Sequence, residues 1–597
     1  MGKKFFWLIL SCLLVLSLLL ASCGTKTTLT TTSTTILTTI PTTELTTVST
    51  TTPTTKSATV AEIPQYGSTF TYRISSDPAD FDPYFLSIGP PCALYLEQLA
   101  MRDLSINRSV FDFKTAFIPL QYWTGRLAEN WEISSDFMTY TFHIRKGIQW
   151  QDKPPVNGRE LTAYDIEWNY HRVLGLGSGF TKGSTYISLA NWALIKSVTA
   201  TDKYTIVMKA SQPSIDQLRS ILDIRSVNLD IVAREAVEKW GNVNDWRNAI
   251  GTGPFILKDY TTGSSMDFSK NPNYWGYDPV YPKNRLPYVD KVKILIIPDI
   301  ATTMAALRTG KVDLVEDINW QQAASLMKTN PELLQVKRPT DGDTIAMMID
   351  KKPFDDIRIR TAMQMAMDLK TIAKTYYGGY VDGIPLGLSA LKGYYTPFNE
   401  WPKEIQAGYE YNPEGAKKLL TEAGYPNGFK CILTISSTAD IDLFQVLKAY
   451  LLAINIDMQI QTMDSVSWSA YTQASKHELC GGGSVLYNVA TYPPVNLLNQ
   501  CYGGHTRNYN LTHLADPTYD AIVAKVKASI SEEEIKKLVI EADMRAITQH
   551  WRISISPKVL FCVYQPWLQR FSGELNILSD AARWYWVDNS LKKAMGR

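Results

Sequence analysis

Two neighbouring stretches, Leu127-Ala128-Glu129-Asn130-Trp131-Glu132-Ile133 and Tyr140-Thr141-Phe142-His143-Ile144-Arg145-Lys146-Gly147-Ile148, carry the most informative pattern of the 597-residue chain. Both are rich in β-branched and aromatic residues, and Asp136 lies between them. This composition predicts two strands joined by a turn. Thr162 then predicts the N-cap of a helix that runs to about residue 174.

Strand-like and helix-like segments alternate on both sides of this unit. Further strands are predicted at 66–74, 251–257 and 289–297, and further helices at 299–307, 356–367, 413–423, 441–452 and 532–550. The alternation predicts an α/β protein with mixed or mostly parallel sheets. No internal repeat of fixed period is visible in the sequence.

The N-terminal segment predicts export. Lys3 and Lys4 precede an apolar run at 5–20, which is shorter than the roughly 20 residues that span a bilayer. Leu20-Ala21-Ser22-Cys23 resembles a lipobox, so residues 1–22 are predicted to be a lipoprotein signal peptide and Cys23 the lipidation site. An ordinary signal peptide with an incidental cysteine is the alternative. Residues 23–62 are dominated by threonine and predict an unfolded tether.

The composition of the remaining body limits the function classes. The full chain contains 45% hydrophobic and 20% charged residues, and this content predicts that the part after the threonine-rich segment is a globular body of two or three domains. The net charge of +2 gives no electrostatic reason to expect nucleic acid as a partner. Gly-x-Ser-x-Gly, His-Glu-x-x-His and the phosphate-binding loop are absent from the sequence, which argues against an exported hydrolase and predicts no enzyme activity.

Five cysteines follow the predicted lipidation site, so at least one thiol is unpaired. They are Cys92, Cys431, Cys480, Cys501 and Cys562. Cys480 and Cys501 bracket one segment. In an exported protein they could form a disulfide, and the sequence does not decide whether they do. Their spacing contains no Cys-x-x-Cys or Cys/His pattern, and no metal is expected.

An ordered set of motifs resembles the family 5 extracellular solute-binding proteins, which include oligopeptide-, dipeptide- and nickel-binding receptors of ABC importers. After the two strand motifs come Leu-Thr-Ala-Tyr-Asp-Ile at 161–166, Gly-Thr-Gly-Pro at 251–254, Asn-Pro-Asn-Tyr-Trp-Gly at 271–276, Leu-x-x-Gly-x-x-Asp at 307–313, Pro-Phe-Asp-Asp-Ile-Arg-Ile-Arg at 353–360 and Leu-Leu-x-x-Ala-Gly-Tyr-Pro at 419–426. Any one motif is weak, whereas the order of all of them is specific.

The resemblance implies a class II periplasmic-binding-protein fold with two large lobes joined by a hinge and a small extra lobe. The implied division is lobe I at 63–110, 201–300 and 556–597, the small lobe II at 111–200, and the ligand-binding lobe III at 301–555. Closure of the large lobes over a ligand would exclude water from a cleft between them.

The resemblance also suggests where the ligand binds. Peptide-binding relatives carry a Trp-x-x-Asp-Tyr-Pro-like motif whose aspartate pairs with the peptide amine, and the matching stretch here is 486–494. Thr491 occupies the aspartate position, next to Tyr492 and near Tyr487 and Asn488. A threonine hydroxyl cannot neutralise a buried ammonium group. Either another acid such as Asp464 takes this role, or the ligand lacks the charge.

The other candidate ligand-binding residues come from predicted cleft loops. Ser75 and Ser76 follow the first strand, Tyr84 and Trp401 would add aromatic surface, and Arg507 could bind a carboxylate. For each aromatic residue, packing in the core is the alternative. The nickel receptors of the family use a histidine, whereas the histidines here form no His-x-His or His-x-x-x-His pair and only His505 lies near the expected cleft.

The sequence therefore predicts a monomeric, lipid-anchored receptor at the cell envelope that captures an oligopeptide or dipeptide and delivers it to ABC permease subunits. No cofactor is expected. A sugar, a nickel chelate or another solute remains an alternative ligand, and a sensor that signals to a partner remains an alternative role.

Overall fold

The computed structural model describes residues 63–85, 89–115, 117–184, 194–222, 230–340, 342–385, 393–481, 498, 511–556 and 558–597. The strands are β1 (Thr69–Ile74), β2 (Ala100–Arg102), β3 (Trp123–Gly125), β4 (Ala128–Ile133), β5 (Thr139–Ile144), β6 (Ile195–Asp202), β7 (Thr205–Ala210), β8 (Phe255–Thr261), β9 (Ser265–Lys270), β10 (Lys291–Ile296), β11 (Leu314–Ile318), β12 (Leu334–Thr340), β13 (Thr344–Met347), β14 (Phe429–Ser436), β15 (Ile456–Met463), β16 (Leu479–Gly481), β17 (Arg552–Ser554), β18 (Lys558–Tyr564), β19 (Leu568–Gln569) and β20 (Trp586–Val587).

Helices alternate with these strands. They are α1 (Gly89–Cys92), α2 (Ala163–Leu174), α3 (Ile215–Leu222), α4 (Arg234–Trp240), α5 (Ile300–Arg308), α6 (Trp320–Thr329), α7 (Ile357–Met365), α8 (Leu369–Thr375), α9 (Lys403–Ala407), α10 (Pro413–Glu422), α11 (Ile441–Leu452), α12 (Ser465–Gln473), α13 (Pro517–Ala528), α14 (Glu532–Thr548) and α15 (Asn589–Ala594). In the described part of the chain, no helix is both long and apolar enough to cross a membrane.

The three largest sheets of the described chain each give their name to a lobe, and β2-β3 and β19-β20 form two further two-stranded sheets. The seven-stranded lobe has the order β12-β18-β11-β1-β10-β9-β8, with β1 parallel to both of its neighbours. The five-stranded lobe has the order β15-β14-β16-β13-β17, and β14 is parallel to β15 and β16. The four-stranded lobe is the antiparallel sheet β4-β5-β7-β6. These mixed sheets confirm the predicted α/β class.

The backbone crosses between the two larger sheets twice among the described strands. Strand β12 ends at Thr340 and β13 begins at Thr344, whereas β17 ends at Ser554 and β18 begins at Lys558. Each crossing is a short connection between the ends of two strands. Two short crossings side by side form the hinge of a two-lobed protein.

Local capping explains why several helices begin where the sequence predicts. The Asp165 carboxylate accepts a 2.8 Å hydrogen bond from the Thr162 N–H at the start of α2. Asp299 caps α5 by accepting from the Thr302 N–H at 2.7 Å, and Asp356 caps α7. Each carboxylate satisfies a backbone donor that the first helical turn leaves free.

The sheet assignments differ from two of the predicted lobe boundaries. Strands β11 and β12, which lie within the predicted 301–555 lobe, hydrogen-bond in the seven-stranded sheet, so the sheet changes after Thr340. Strand β7 lies beyond residue 200 but pairs within the four-stranded sheet. The sequence did not indicate these differences, because a strand has the same sequence pattern whichever sheet it joins.

Candidate functional site

An ion-paired cluster lies at the hinge. Asp343 precedes β13 on one crossing, and its carboxylate contacts the ammonium group of Lys558, which begins β18 after the other crossing. The Lys558 Nζ also lies 3.5 Å from Asp440, the N-cap of α11. The Tyr376 hydroxyl donates to Asp440 at 2.5 Å. The cluster ties the two crossings to a helix of the five-stranded lobe.

Burial dominates the electrostatics of this cluster. The Asp343 side chain is only 3% exposed, and desolvation raises the pKa of its carboxyl although Lys558 opposes the shift. Burial, followed by the hydrogen bond to Asp440, also raises the pKa of Tyr376. The Lys558 ammonium group therefore offsets part of the desolvation cost of the buried Asp343 carboxylate.

A second ionic group lies on the seven-stranded side of the same crossing. Arg338 on β12 contacts Glu316 on β11 and binds Asp317 at 2.6 Å. The Tyr72 hydroxyl on β1 donates to Glu316. Burial raises the pKa of Glu316, and the Arg338 guanidinium opposes that shift. These contacts connect β12 to β11 and β1, across the intervening β18, just before the chain leaves the seven-stranded sheet.

The two large lobes also contact each other away from the hinge. Arg219 on α3 pairs with Glu532 at the start of α14, and the Ile215 N–H donates to the Ser529 carbonyl at 3.5 Å. Phe117 packs edge-on against Tyr394 with ring centroids 5.4 Å apart. These contacts lie in an apolar cluster to which both lobes contribute side chains.

A cavity of about 550 Å³ lies beside these contacts. Its volume is within the range of small-molecule sites, which is about 300–1,000 Å³. The loop between β2 and β3 forms one wall, and the opposite wall comes from Tyr394 and α14. Since the walls belong to different lobes, the shape of the cavity depends on how the lobes are positioned.

Four of the predicted ligand-binding residues are described. Ser75 and Ser76 are exposed in the loop after β1. Tyr84 is half-buried, and the Arg172 guanidinium lies 4.6 Å from its ring centroid. Trp401 is 4% exposed and packs against Tyr409, which leaves little of its indole accessible to a ligand. The structure does not bring these four residues to the 550 Å³ cavity.

The remaining predicted site residues lie outside the described part of the chain. They are Cys23, Tyr487, Asn488, Thr491, Tyr492 and Arg507, and their roles stay predictions. Cys501 and His505 also lie outside it. Cys92, Cys431, Cys480 and Cys562 are buried free thiols, with no disulfide among these four described residues. In the same described ranges, no group of three or more His, Cys, Asp or Glu side chains could hold a metal ion.

A serine, a histidine and an aspartate form a hydrogen-bonded row on the five-stranded lobe. Ser475 Oγ contacts His513 Nε2, and His513 Nδ1 lies 3.1 Å from Asp350 Oδ2. This order matches a nucleophile, a base and its orienting acid. However, His513 and Asp350 are 36% and 47% exposed, and none of the three residues lines the 550 Å³ cavity. The row therefore ties three surface loops together away from the 550 Å³ cavity.

Sequence reasoning missed the hinge cluster and the contact between lobes. Asp343, Lys558, Arg219 and Glu532 belong to no recognisable motif, and their partners lie far away in sequence. The one local signal is the run of glutamates at 532–534, which also has the simpler meaning of acidic residues in the first turn of a helix.

Two lobes joined by a double crossing, with a ligand-sized cavity between them, define a periplasmic-type binding protein that encloses its ligand. Residues 123–506 match the family described as "Bacterial extracellular solute-binding proteins, family 5 Middle". The chain belongs to this family of extracytoplasmic solute-binding proteins.

Known relatives of different ligand specificity resemble the chain. It is 27% identical over 514 residues to heme-binding protein A of Haemophilus influenzae, covering 84% of this chain and 89% of the relative. It is 30% identical over 372 residues to the dipeptide-binding protein of Escherichia coli, covering 60% of this chain and 64% of the relative. The periplasmic binding protein DppA from Helicobacter pylori, solved with the peptide STSA, shares the fold with a TM-score of 0.68 at 21% identity, covering 88% of this chain and 98% of DppA.

Proposed function

We propose that this chain captures a peptide between its two large lobes and delivers it to the permease of an ABC importer. The observation that carries the proposal is the double crossing at Thr340 and Ser554 together with a ligand-sized cavity walled by both lobes. The dipeptide-binding relative and the peptide complex of the structural neighbour support a peptide ligand. Closure about the hinge is the mechanism of capture.

The receptor acts outside the cytoplasm, attached to the membrane by lipid on Cys23. The lipobox-like sequence before Cys23 and the threonine-rich segment at 23–62 support this arrangement. More than one acyl chain anchors firmly, because each buried methylene group contributes about 0.8 kcal/mol. The tether gives the monomeric receptor reach toward the permease.

The predicted specificity within the peptide class follows from Thr491. The position carries an uncharged hydroxyl where peptide-binding relatives carry an aspartate. When the lobes close, the desolvation cost of a peptide's ammonium group is therefore offset less than in those relatives. We expect peptides whose amine is neutralised or acylated to lose less affinity here than in those relatives. The interlobe cavity adds binding surface that does not depend on the amine.

Calorimetric titration with a defined ligand panel tests the proposal. The panel contains a dipeptide, the tetrapeptide Ser-Thr-Ser-Ala, glutathione and hemin, the last because the heme-binding relative covers most of the chain. We expect saturable binding of a peptide and compaction in small-angle scattering at saturation. Tight binding of hemin without any peptide binding would assign the chain to heme, and turnover of a bound ligand would overturn the binding-only function.

Glu532→Gln tests whether the contact between lobes belongs to the closed state. The pair with Arg219 crosses the lobes, and Glu532 is 35% exposed, so its loss is expected to cost about 1 kcal/mol of closure and to weaken peptide binding about fivefold. Glu533→Gln is the matched control, since Glu533 is 83% exposed and pairs only with Lys536 on its own helix among the described residues. Equal affinities of the two variants would contradict closure through this contact.

A further inference from the structure

We propose that the 550 Å³ cavity between the lobes is a subsite for an amphipathic anion, namely a carboxylate next to an aromatic or branched aliphatic group. In a peptide ligand this is the C-terminal residue. The inference rests on the proposed function for the peptide itself, and it adds which part of the peptide the cavity takes. Three features of the cavity lining support it: walls of packed apolar side chains, a cation held by hydrogen bonds and an unpartnered buried hydroxyl.

The apolar walls are preorganised by aromatic packing. Phe111 is stacked on Tyr122 with ring centroids 4.8 Å apart and meets Phe113 edge-on at 5.0 Å. Phe117 is buried and is held against Tyr394 from the other lobe. Side chains already fixed in this way lose little conformational entropy when a ligand binds, so the buried apolar area is converted to affinity efficiently.

Arg108 supplies a fixed cation at the cavity. Its Nε donates to Ser572 Oγ at 3.1 Å, and its Nη1 donates to the carbonyls of Leu104 and Ile106 at 3.1 and 2.8 Å. The guanidinium makes no ion pair within the described part of the chain. It is therefore oriented by neutral groups while its charge is left without a counter-ion, and a ligand carboxylate can provide one.

The other charged residues of the lining do not cancel this preference. Glu532 shares the Arg219 guanidinium with Asp216, and Lys536 brings a second cation whose partner Glu533 is a solvent-exposed neighbour on the same helix. Asp112 is the remaining acid, and the Lys114 ammonium lies 3.9 Å from it. Arg108 is therefore the cation of the lining that has no acidic partner among the described residues, and its guanidinium is the group that favours an anion.

Tyr394 provides an independent sign of a missing ligand. The residue is 3% exposed, it lines the cavity, and its hydroxyl has no hydrogen-bond partner in the described chain. A buried hydroxyl without a partner destabilises the protein that contains it. An acceptor brought by a ligand carboxylate satisfies the hydroxyl after a small movement of the side chain.

Calorimetry with three tripeptides on the full mature chain tests the subsite. The probes are Ala-Ala-Phe, Ala-Ala-Ala and the C-terminal amide of Ala-Ala-Phe. We expect Ala-Ala-Phe to bind at least about tenfold more tightly than either of the others, because each of them lacks one of the two groups that the cavity receives. Equal binding of all three peptides would overturn the subsite while leaving peptide capture intact. Absence of binding by any peptide would overturn the proposed function instead.

Tyr394→Phe separates a ligand role from a structural one. Removal of an unpartnered hydroxyl is expected to leave the thermal stability of the free protein unchanged or raised, yet to weaken Ala-Ala-Phe binding about threefold to tenfold. Tyr164→Phe, at a 54% exposed tyrosine of the four-stranded lobe, is the matched control and should change neither quantity. Lower stability of Tyr394→Phe with unchanged affinity would show a structural hydroxyl and refute the assignment.

Discussion

Replacing Lys558 with methionine removes the ammonium group that compensates the buried Asp343 carboxylate at the hinge. The two side chains are 22% and 3% exposed, and burial already raises the pKa of Asp343 in the presence of Lys558. Methionine keeps the length and apolar stem of lysine, so the change isolates the charge. We expect the free energy of unfolding to fall by about 3–5 kcal/mol at pH 7, the usual cost of leaving one partner of a buried ion pair uncompensated.

Substitution of the other partner of the ion pair, Asp343, is expected to lower the free energy of unfolding much less. Asp343→Asn removes the buried charge, and Lys558 keeps Asp440 at 3.5 Å and partial contact with solvent. A loss of about 1 kcal/mol follows from the weakened hydrogen bonding alone. The double variant Asp343→Asn/Lys558→Met should be more stable than Lys558→Met, because it contains no uncompensated carboxylate.

The stability loss caused by Lys558→Met should decrease as the pH falls. An acid whose pKa is raised on folding destabilises the fold above its folded-state pKa, and the cost disappears as the pH falls toward its unfolded-state value of about 3.9. The Lys558→Met deficit should therefore shrink on acidification below pH 7, whereas that of the double variant should not. Urea unfolding followed by tryptophan fluorescence measures both. Equal stability losses for Lys558→Met and Asp343→Asn would refute the reasoning.

Three further predictions follow from other positions. Burial lowers the pKa of His550 to about 3, so below about pH 6.5 only the unfolded chain takes up a proton at this residue. The free energy of unfolding should therefore fall by about 1.4 kcal/mol per pH unit in this range, and His550→Gln should remove that loss. Urea unfolding of both proteins at pH 6 and 5 measures the difference in slope. Thr491→Asp should bind a free-amine tripeptide about tenfold more tightly and its N-acetylated form no better, by calorimetry. Ser475 should resist a fluorophosphonate probe in intact-mass spectrometry, since its row with the partly exposed His513 lies away from the interlobe cavity, and labelling abolished by Ser475→Ala would reveal a nucleophile.

Local sequence signals were sufficient to predict several of the helices and strands. The helix predicted at 441–452 is α11 (Ile441–Leu452), and the one predicted at 413–423 is α10 (Pro413–Glu422). Capping residues and apolar spacing operate within a few residues of each other, so they are visible without knowledge of the fold. The same local patterns located the strands β4 and β5 to within a few residues.

The hinge and the cavity depend on contacts that no local pattern contains. Asp343 and Lys558, like Phe117 and Tyr394, are more than 200 positions apart in the sequence and come into contact only through the tertiary structure. Trp401 illustrates the opposite difficulty, because an aromatic residue in a loop has the same sequence signature whether it lines a cleft or packs in a core. Here it packs between Phe398 and Tyr409.

Buried ion pairs explain why motion should concentrate at the two crossings rather than within the seven-stranded lobe. Two arginine–carboxylate pairs, Arg102–Asp580 and Arg126–Glu97, connect segments of that lobe, and a third pair, Arg172–Asp82, joins α2 of the four-stranded lobe to it. The side chains of all three pairs are no more than 5% exposed. Separating any of them would leave an uncompensated buried charge, which costs several kcal/mol. By contrast, the Arg219–Glu532 contact between lobes is partly exposed on its acidic side, so water can replace it at small cost. A ligand therefore needs only modest binding energy to shift the lobes as rigid bodies, and hydrogen exchange should slow at the crossings on ligand binding while β1 and β10 stay equally protected throughout.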